Sequence, residues 1–157
     1  MVKIETGIWI DAPVEVCFDL ARDIGVHTQT TWPFTKERAI AGVTSGMIGD
    51  GETVTFQATH FGVRQKLTSL VSEYRRPYVF VDSMQRGAFK SLRHEHYFEP
   101  SGSGTRLRDV LYLEAPLGPL GWLAERLVLR TYMRRFLEYR NRGLKQLAEQ
   151  RIAPQRR

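Results

Sequence analysis

A single cysteine, Cys17, stands among 157 residues, so no intrachain disulfide can brace this chain. A lone thiol suits a reducing compartment. No stretch approaches the ~18 consecutive apolar residues of a membrane-spanning helix. The opening MVKIETGIWIDAP has neither an apolar core nor a small-residue cleavage site, so no secretory signal is expected. Together these absences predict a cytoplasmic protein. No glycine-rich phosphate loop follows a strand, and strands do not alternate with helices, which argues against a nucleotide-binding α/β unit. No serine sits on a strained elbow, and Cys17 has no histidine at helical spacing to activate it. Repeats and low-complexity segments are also missing.

What is present is ordinary soluble-globular material, 42% hydrophobic and 25% charged. The length suits one domain, read here as residues 1–150, with 151–157 as a disordered basic tail. The net charge of +6 is uneven. Residues 118–157 hold 10 Lys/Arg against 3 Asp/Glu, whereas the remainder holds 13 against 14. A basic surface can attract anionic lipid or RNA, so peripheral membrane contact is one reading. Glu138, however, can pair with Arg134 and Arg142 along a solvated helix face. No aromatic-rich RNA-binding motif or zinc-finger spacing accompanies the charge, which disfavours nucleic acid.

Periodicity divides the chain into short strands and one long helix. Lys3–Ile10 alternates as a strand. Asp11-Ala12-Pro13 then opens a helix carrying Val14, Cys17, Phe18 and Ala21 at helical spacing, and Asp23 can cap a second, shorter helix. Strands are expected over Thr35–Val43, Glu52–His60, Val63–Tyr74, Tyr78–Gln85, Phe89–Glu99 and Thr105–Glu114, separated by turn residues. Gly118–Ala148 is the one segment long enough for a major helix. The predicted class is α+β: a curved seven-stranded antiparallel sheet, with two short helices after strand 1, wrapped around a long C-terminal helix.

This order, together with Ile10-Asp11-Ala12-Pro13-Val14-Glu15, Arg86-Gly87-Ala88-Phe89, His94-Glu95-His96-Tyr97-Phe98, Gly104-Thr105 and Ala115-Pro116-Leu117-Gly118, resembles the START-related, birch-pollen-allergen-like helix-grip superfamily. The likeness spans residues 3–148. The nearest subgroup resembles bacterial ligand-binding proteins loosely labelled cyclase/dehydrase or cell-division-inhibitor-like. The resemblance implies a cavity between sheet and terminal helix that takes a small hydrophobic or amphipathic ligand: a lipid, a quinone or an aromatic polyketide. It does not imply one activity. It also implies that the middle of the helix lines the cavity, which makes Tyr132, Met133 and Phe136 candidate ligand contacts. Gly143 falls on the same stripe. Trp32 and Phe89, near the expected opening, are candidate lid residues.

Guessed registers suggest what faces the helix from the sheet. Pairing His60 with Val63 sets Phe56 beside Leu67 and Val54 beside Ser69. A two-residue turn at Arg75-Arg76 would put Ser69 beside Asp82, Val71 beside Phe80 and Leu67 beside Met84. A four-residue loop Pro100–Ser103 would put His94 beside Asp109. A three-residue turn near Gly87 sets Asp82 beside His94. The outcome is a polar row, Ser69, Asp82, His94 and Asp109, flanked by Phe56, Leu67, Phe80 and Met84. His94 between two carboxylates is the candidate general acid–base, with Asp82 and Asp109, for an aldol-type cyclisation and dehydration. Changing the Gly87 turn by one residue would instead send Asp82 to the outer face beside Arg93. His96 could join the row at its rim, while His60 is assigned to a hairpin tip. His94 and His96 share a strand face, but spacing places no third ligand beside them, so no metal and no cofactor is expected. The oligomeric state is left open.

Overall fold

A computed structural model describes residues 1–156. Seven antiparallel strands form one sheet in the order β1-β7-β6-β5-β4-β3-β2. They are β1 (Val2–Ile10), β2 (Arg38–Gly42), β3 (Thr53–His60), β4 (Val63–Arg75), β5 (Val79–Arg86), β6 (Ser91–Ser101) and β7 (Gly104–Glu114). Helices α1 (Val14–Ala21) and α2 (Ile24–Thr30) carry the chain from β1 at one sheet edge to β2 at the other. A helical segment closes the chain: α3 (Gly118–Ala124), a π-helical turn (Glu125–Leu129) and α4 (Arg130–Ile152). The predicted architecture is the one observed.

Local chemistry explains the corner after β1. Pro13 stands directly before α1, and its carbonyl accepts from the Cys17 amide. Asp23 caps α2, its carboxylate accepting from the Val26 amide at 3.0 Å. Phe18 of α1 anchors the corner to the sheet. Its ring meets Tyr74, Phe80 and Phe98 edge-on at 5.4–5.5 Å. Around it pack Ile10, Leu107 and, from α4, Leu144, Ala148 and Ile152.

Three sequence expectations fail here, each for a local reason. The helix does not end near Ala148. It runs through Ile152, whose buried side chain joins the core around Phe18, and a 3₁₀ turn follows over Ala153–Arg156. Residues 151–156 of the basic tail thus continue the helix and its closing turn, and Arg157 lies outside the described residues. Pro100–Ser103 is not a four-residue loop. Pro100 and Ser101 stay in the ladder, Ser101 pairs with Gly104, and only Gly102-Ser103 turn, with Gly102 at φ 60°. The β6–β7 register is therefore two residues from the one expected, so His96 rather than His94 faces Asp109. A shift of two leaves every side chain on its expected face. The β4–β5 turn holds three residues, Arg76–Tyr78, and irregularities near Thr68 and Ser72 shift the ladder. Asp82 consequently opposes Val71, and Ser69 opposes Met84. The β3–β4 pairing, by contrast, is as expected.

Asp19 ties α1 to the β4–β5 turn. It accepts from Arg76 at 2.7 and 3.0 Å and from Arg22 at 3.0 and 3.1 Å. Hydrogen bonds from Arg76 hold its carboxyl below the ordinary value of 3.8, with burial opposing and Arg22 assisting. Asp19→Asn should therefore lower stability by about 1 kcal/mol at neutral pH, a modest figure because Arg76 is exposed. The carboxylate's contribution is complete above pH 3.8 and is lost as pH falls through its depressed folded value. Urea midpoints of the two proteins should thus stay apart down to that pH and converge below it.

Candidate functional site

The sheet and the closing helix enclose a cavity of about 410 Å³. That is within the usual range for small-molecule sites, roughly 300–1,000 Å³. Its walls are mostly apolar. Val54, Phe56 and Ala58 of β3 alternate inward, Leu67 and Ser69 come from β4, and Met133, Phe136 and Leu137 come from α4. The exposed members of the lining mark where it opens: Phe61 and Lys66 at the β3–β4 hairpin, Ala88 after β5, and Leu117 and Leu120 at the start of α3. Leu123 and Leu127 of the same helical segment are also exposed, and Arg126 stacks on Trp122.

Four titratable groups meet on the inner face of β5, β6 and β7. Asp82 and His94 are directly opposed across β5–β6, and His96 and Asp109 across β6–β7. The inward arrangement is the one present. On the outer face Arg93 binds Glu73 and Glu95 instead of Asp82. Asp109 is fully buried, and its Oδ1 lies 2.7 Å from His96 Nδ1 and 3.1 Å from His94 Nε2. Its Oδ2 accepts from the Asn141 side-chain amide of α4 at 2.6 Å. The other nitrogens point to Asp82 Oδ2, His96 Nε2 at 2.9 Å and His94 Nδ1 at 4.0 Å. The two imidazoles lie 3.8 Å apart, and Phe80 stacks on His96 at 4.1 Å.

The electrostatics separate the two histidines. Burial pushes His94 below the ordinary histidine value, and the neighbouring His96 charge adds to this against the pull of the aspartates. Burial acts on His96 in the same direction, but its hydrogen bonds to Asp109 and Asp82 outweigh it and raise its value. Burial would raise both carboxyls. Hydrogen bonds from the histidines outweigh it, holding Asp82 below and Asp109 well below the ordinary carboxylate value. Between the two histidines, the surroundings thus favour a proton on His96 over one on His94.

Of the residues singled out from sequence, Asp82, His94 and His96 line the cavity, as do Phe56, Leu67, Ser69, Phe80, Phe89, Tyr132, Met133 and Phe136. Asp109 lies behind the histidines rather than in the wall. Ser69 lines the wall but faces Met84 across the ladder, outside the hydrogen-bonded cluster. Trp32 is not in the lining. Its ring packs on Phe34, Tyr132, Phe136 and Tyr139 and supports the helix wall from behind. Met84 belongs to the core around Leu92, Leu111 and Leu113, because the β4–β5 irregularities move it along the sheet. Gly143 faces Thr30 of α2, where an added Cβ would stand 3.1 Å from Thr30 Cγ2, so its smallness serves helix packing.

Sequence reasoning missed a second polar group in the wall. His60 is not a bare hairpin tip, since its Nδ1 lies 2.8 Å from the Tyr132 hydroxyl. The alternation Val54, Phe56, Ala58, His60 already put it on the inner face. His27 stacks on Phe56 at 4.4 Å and pairs with Glu37 at 2.9 Å. No local pattern marked that pair. Arg140 is buried on α4, lines the cavity and donates to the Ala21 carbonyl at 3.3 Å, so the arginines of the helix are not all at its solvent face.

A seven-stranded antiparallel sheet closed on a long terminal helix, with a ligand-sized space between, defines the helix-grip class of START and birch-pollen-allergen-like proteins. Within it the chain belongs to the polyketide cyclase/dehydrase and lipid transport family, which residues 1–149 match. Among solved structures it is similar to the protein TTHA0849 from Thermus thermophilus, at 20% identity and TM-score 0.75 over 92% of this chain and 95% of that one. It is also similar to a START superfamily protein from Mycobacterium smegmatis, at 17% identity and TM-score 0.71 over 94% and 97%. Major latex-like protein 151 from Panax ginseng shares the fold at 13% identity and TM-score 0.64 over 94% and 97%. A search of curated proteins found no match.

Asn141 carries a checkable burden. Its amide reaches across from α4 to a buried charge in the sheet, the Asp109 carboxylate. Asn141→Leu should leave one buried carboxylate oxygen without this donor and destabilise the protein by about 2–3 kcal/mol. Chemical denaturation that finds a loss below about 0.5 kcal/mol, within the range of an ordinary surface substitution, would show that Asp109 is held from the sheet alone.

Proposed function

We propose that the protein binds one small amphipathic molecule in this cavity, with the apolar body against Phe56, Leu67, Met133 and Phe136. The carrying observation is the distribution of polarity. Mostly apolar walls carry a few polar groups: the Asp82–His94–His96 cluster, the His60–Tyr132 pair, the His27–Glu37 pair and Arg140. An apolar body with polar atoms at one or both ends fits such a lining, and a lipid, a quinone or an aromatic polyketide has that form. Membership of a family that includes both lipid transport and cyclisation supports the same class of ligand.

The cluster favours a second reading, catalysis of cyclisation with dehydration. His94 donates from Nε2 to Asp109, which leaves the Nδ1 lone pair open as a base for a proton next to a carbonyl. His96, facing a carboxylate at each nitrogen, holds a proton it could return to a leaving hydroxyl.

Two substitutions separate these readings. Ala58 lies in the middle of the wall. Ala58→Phe should fill the space and weaken binding of an apolar fluorescent probe at least tenfold in a protein that still folds. Equal binding by both proteins would place the pocket elsewhere. His94→Ala should keep probe binding within a few-fold under either reading. Under catalysis it should cut turnover of a polyketide-type substrate by roughly 10²–10⁴-fold. Unchanged turnover would leave binding alone.

A further inference from the structure

We propose that Asp82, His94 and His96 form a site for one divalent transition-metal ion of the zinc class at the inner end of the cavity. The geometry that points there is the sharing of Asp109. One oxygen of this buried carboxylate takes the far nitrogens of both imidazoles, His94 Nε2 at 3.1 Å and His96 Nδ1 at 2.7 Å. A carboxylate behind a histidine is the usual device for orienting a metal-binding imidazole and placing its N–H on the side away from the metal. Here one carboxylate orients two, and Asn141 holds that carboxylate in turn.

With His94 Nε2 and His96 Nδ1 turned to Asp109, the other nitrogens, His94 Nδ1 and His96 Nε2, face Asp82 Oδ2 at 4.0 and 2.9 Å. A ligating atom from each of the three residues lies within 4.8 Å of the others. Donors around a tetrahedral zinc with bonds of about 2.0–2.1 Å stand roughly 3.3 Å apart. The three donors bracket that spacing, so small side-chain rotations would close them on an ion. Two imidazoles and one carboxylate form a donor set for zinc or ferrous iron, whereas calcium and magnesium prefer oxygen alone.

Charge supports the same assignment. Two carboxylates, Asp82 and Asp109, stand in direct contact with the two imidazoles. Arg140 acts on Asp82 through charge alone. A divalent ion held between Asp82 and the imidazoles would offset the charge of both carboxylates. Asp82, His94 and His96 line the cavity, so the ion's remaining position opens toward it. There a water or an oxygen of a bound molecule would complete the coordination.

The test uses metal alone, so its failure leaves the ligand-binding reading intact. Chelator-treated protein, checked for folding by circular dichroism, is titrated with Co²⁺ and then Zn²⁺. The expected result is one Co²⁺ per chain, the visible absorption of a four- or five-coordinate nitrogen–oxygen site, and displacement by one Zn²⁺. His94→Ala and His96→Ala should each weaken uptake at least 100-fold, and Asp109→Asn about 10- to 100-fold. Asp50→Asn, at an exposed position away from the cavity lining, should leave it unchanged. Because substitutions in a buried cluster can unfold the protein, imidazole ¹⁵N NMR of the wild type provides an independent reading. Zn²⁺ should shift His94 Nδ1 and His96 Nε2. The proposal is overturned if folded wild-type protein takes up no stoichiometric ion, if uptake survives loss of both histidines, or if the shifted nitrogens belong to His27 or His60.

Discussion

A carboxylate with no solvent access has to be compensated where it stands, and the middle of this molecule is arranged around that requirement at Asp109. Isolated burial of such a charge costs several kcal/mol after relaxation, more than a marginally stable domain can absorb. Two histidines from β6 and an asparagine from α4 supply the compensation. Sheet and helix are thereby joined by a polar contact as well as by the apolar packing around Leu92, Leu111, Leu113 and Leu137. The histidines held in this way are the ones that present their other nitrogens to the cavity. Stability and site chemistry consequently rest on the same side chains.

The cavity exists because the sheet is packed on the helix at its ends and held off it between. At the β1–α1 corner, Phe18 and the last turns of α4 fill the space, and the smallness of Gly143 lets α4 approach Thr30. Further along the helix, inward Ala58 and Ser69 leave room that larger residues would occupy. The π-helical turn over Glu125–Leu129 separates the packed part of the helix from the exposed, apolar α3 at the mouth. A π turn changes which side chains face inward without breaking the helix. Leu120 and Ala124 can therefore border the opening although they do not lie on the inner stripe of α4.

Much of this was legible in the residues. Strand alternation placed Phe56, Leu67, Ser69, Asp82, His94 and His96 on one face, and that survived registers wrong by two. Side chains repeat every two residues, so an even slip keeps the face and changes only the neighbour. The neighbours are where the chemistry differs. With His94 opposite Asp109, the site would have been a single histidine between two acids. With His96 opposite Asp109, both histidines share that acid and both turn to Asp82. Turn length decided this, and the turn at Gly102-Ser103 is shorter than its run of small residues suggested.

What the sequence by itself determined, then, is the architecture, the inner face of each strand and the presence of two histidines two apart on one of them. Those follow from local periodicity, capping residues and turn residues, each read within a few positions of the chain. Only the tertiary structure decided that His96 shares Asp109 with His94 and turns its other nitrogen to Asp82, that Asn141 reaches Asp109 from the helix, and that His27 meets Glu37 in the wall. These depend on strand registers, on irregularities in β4 and on how the helix docks. Such relations between distant segments are set by packing of the whole fold, and no local pattern encodes them.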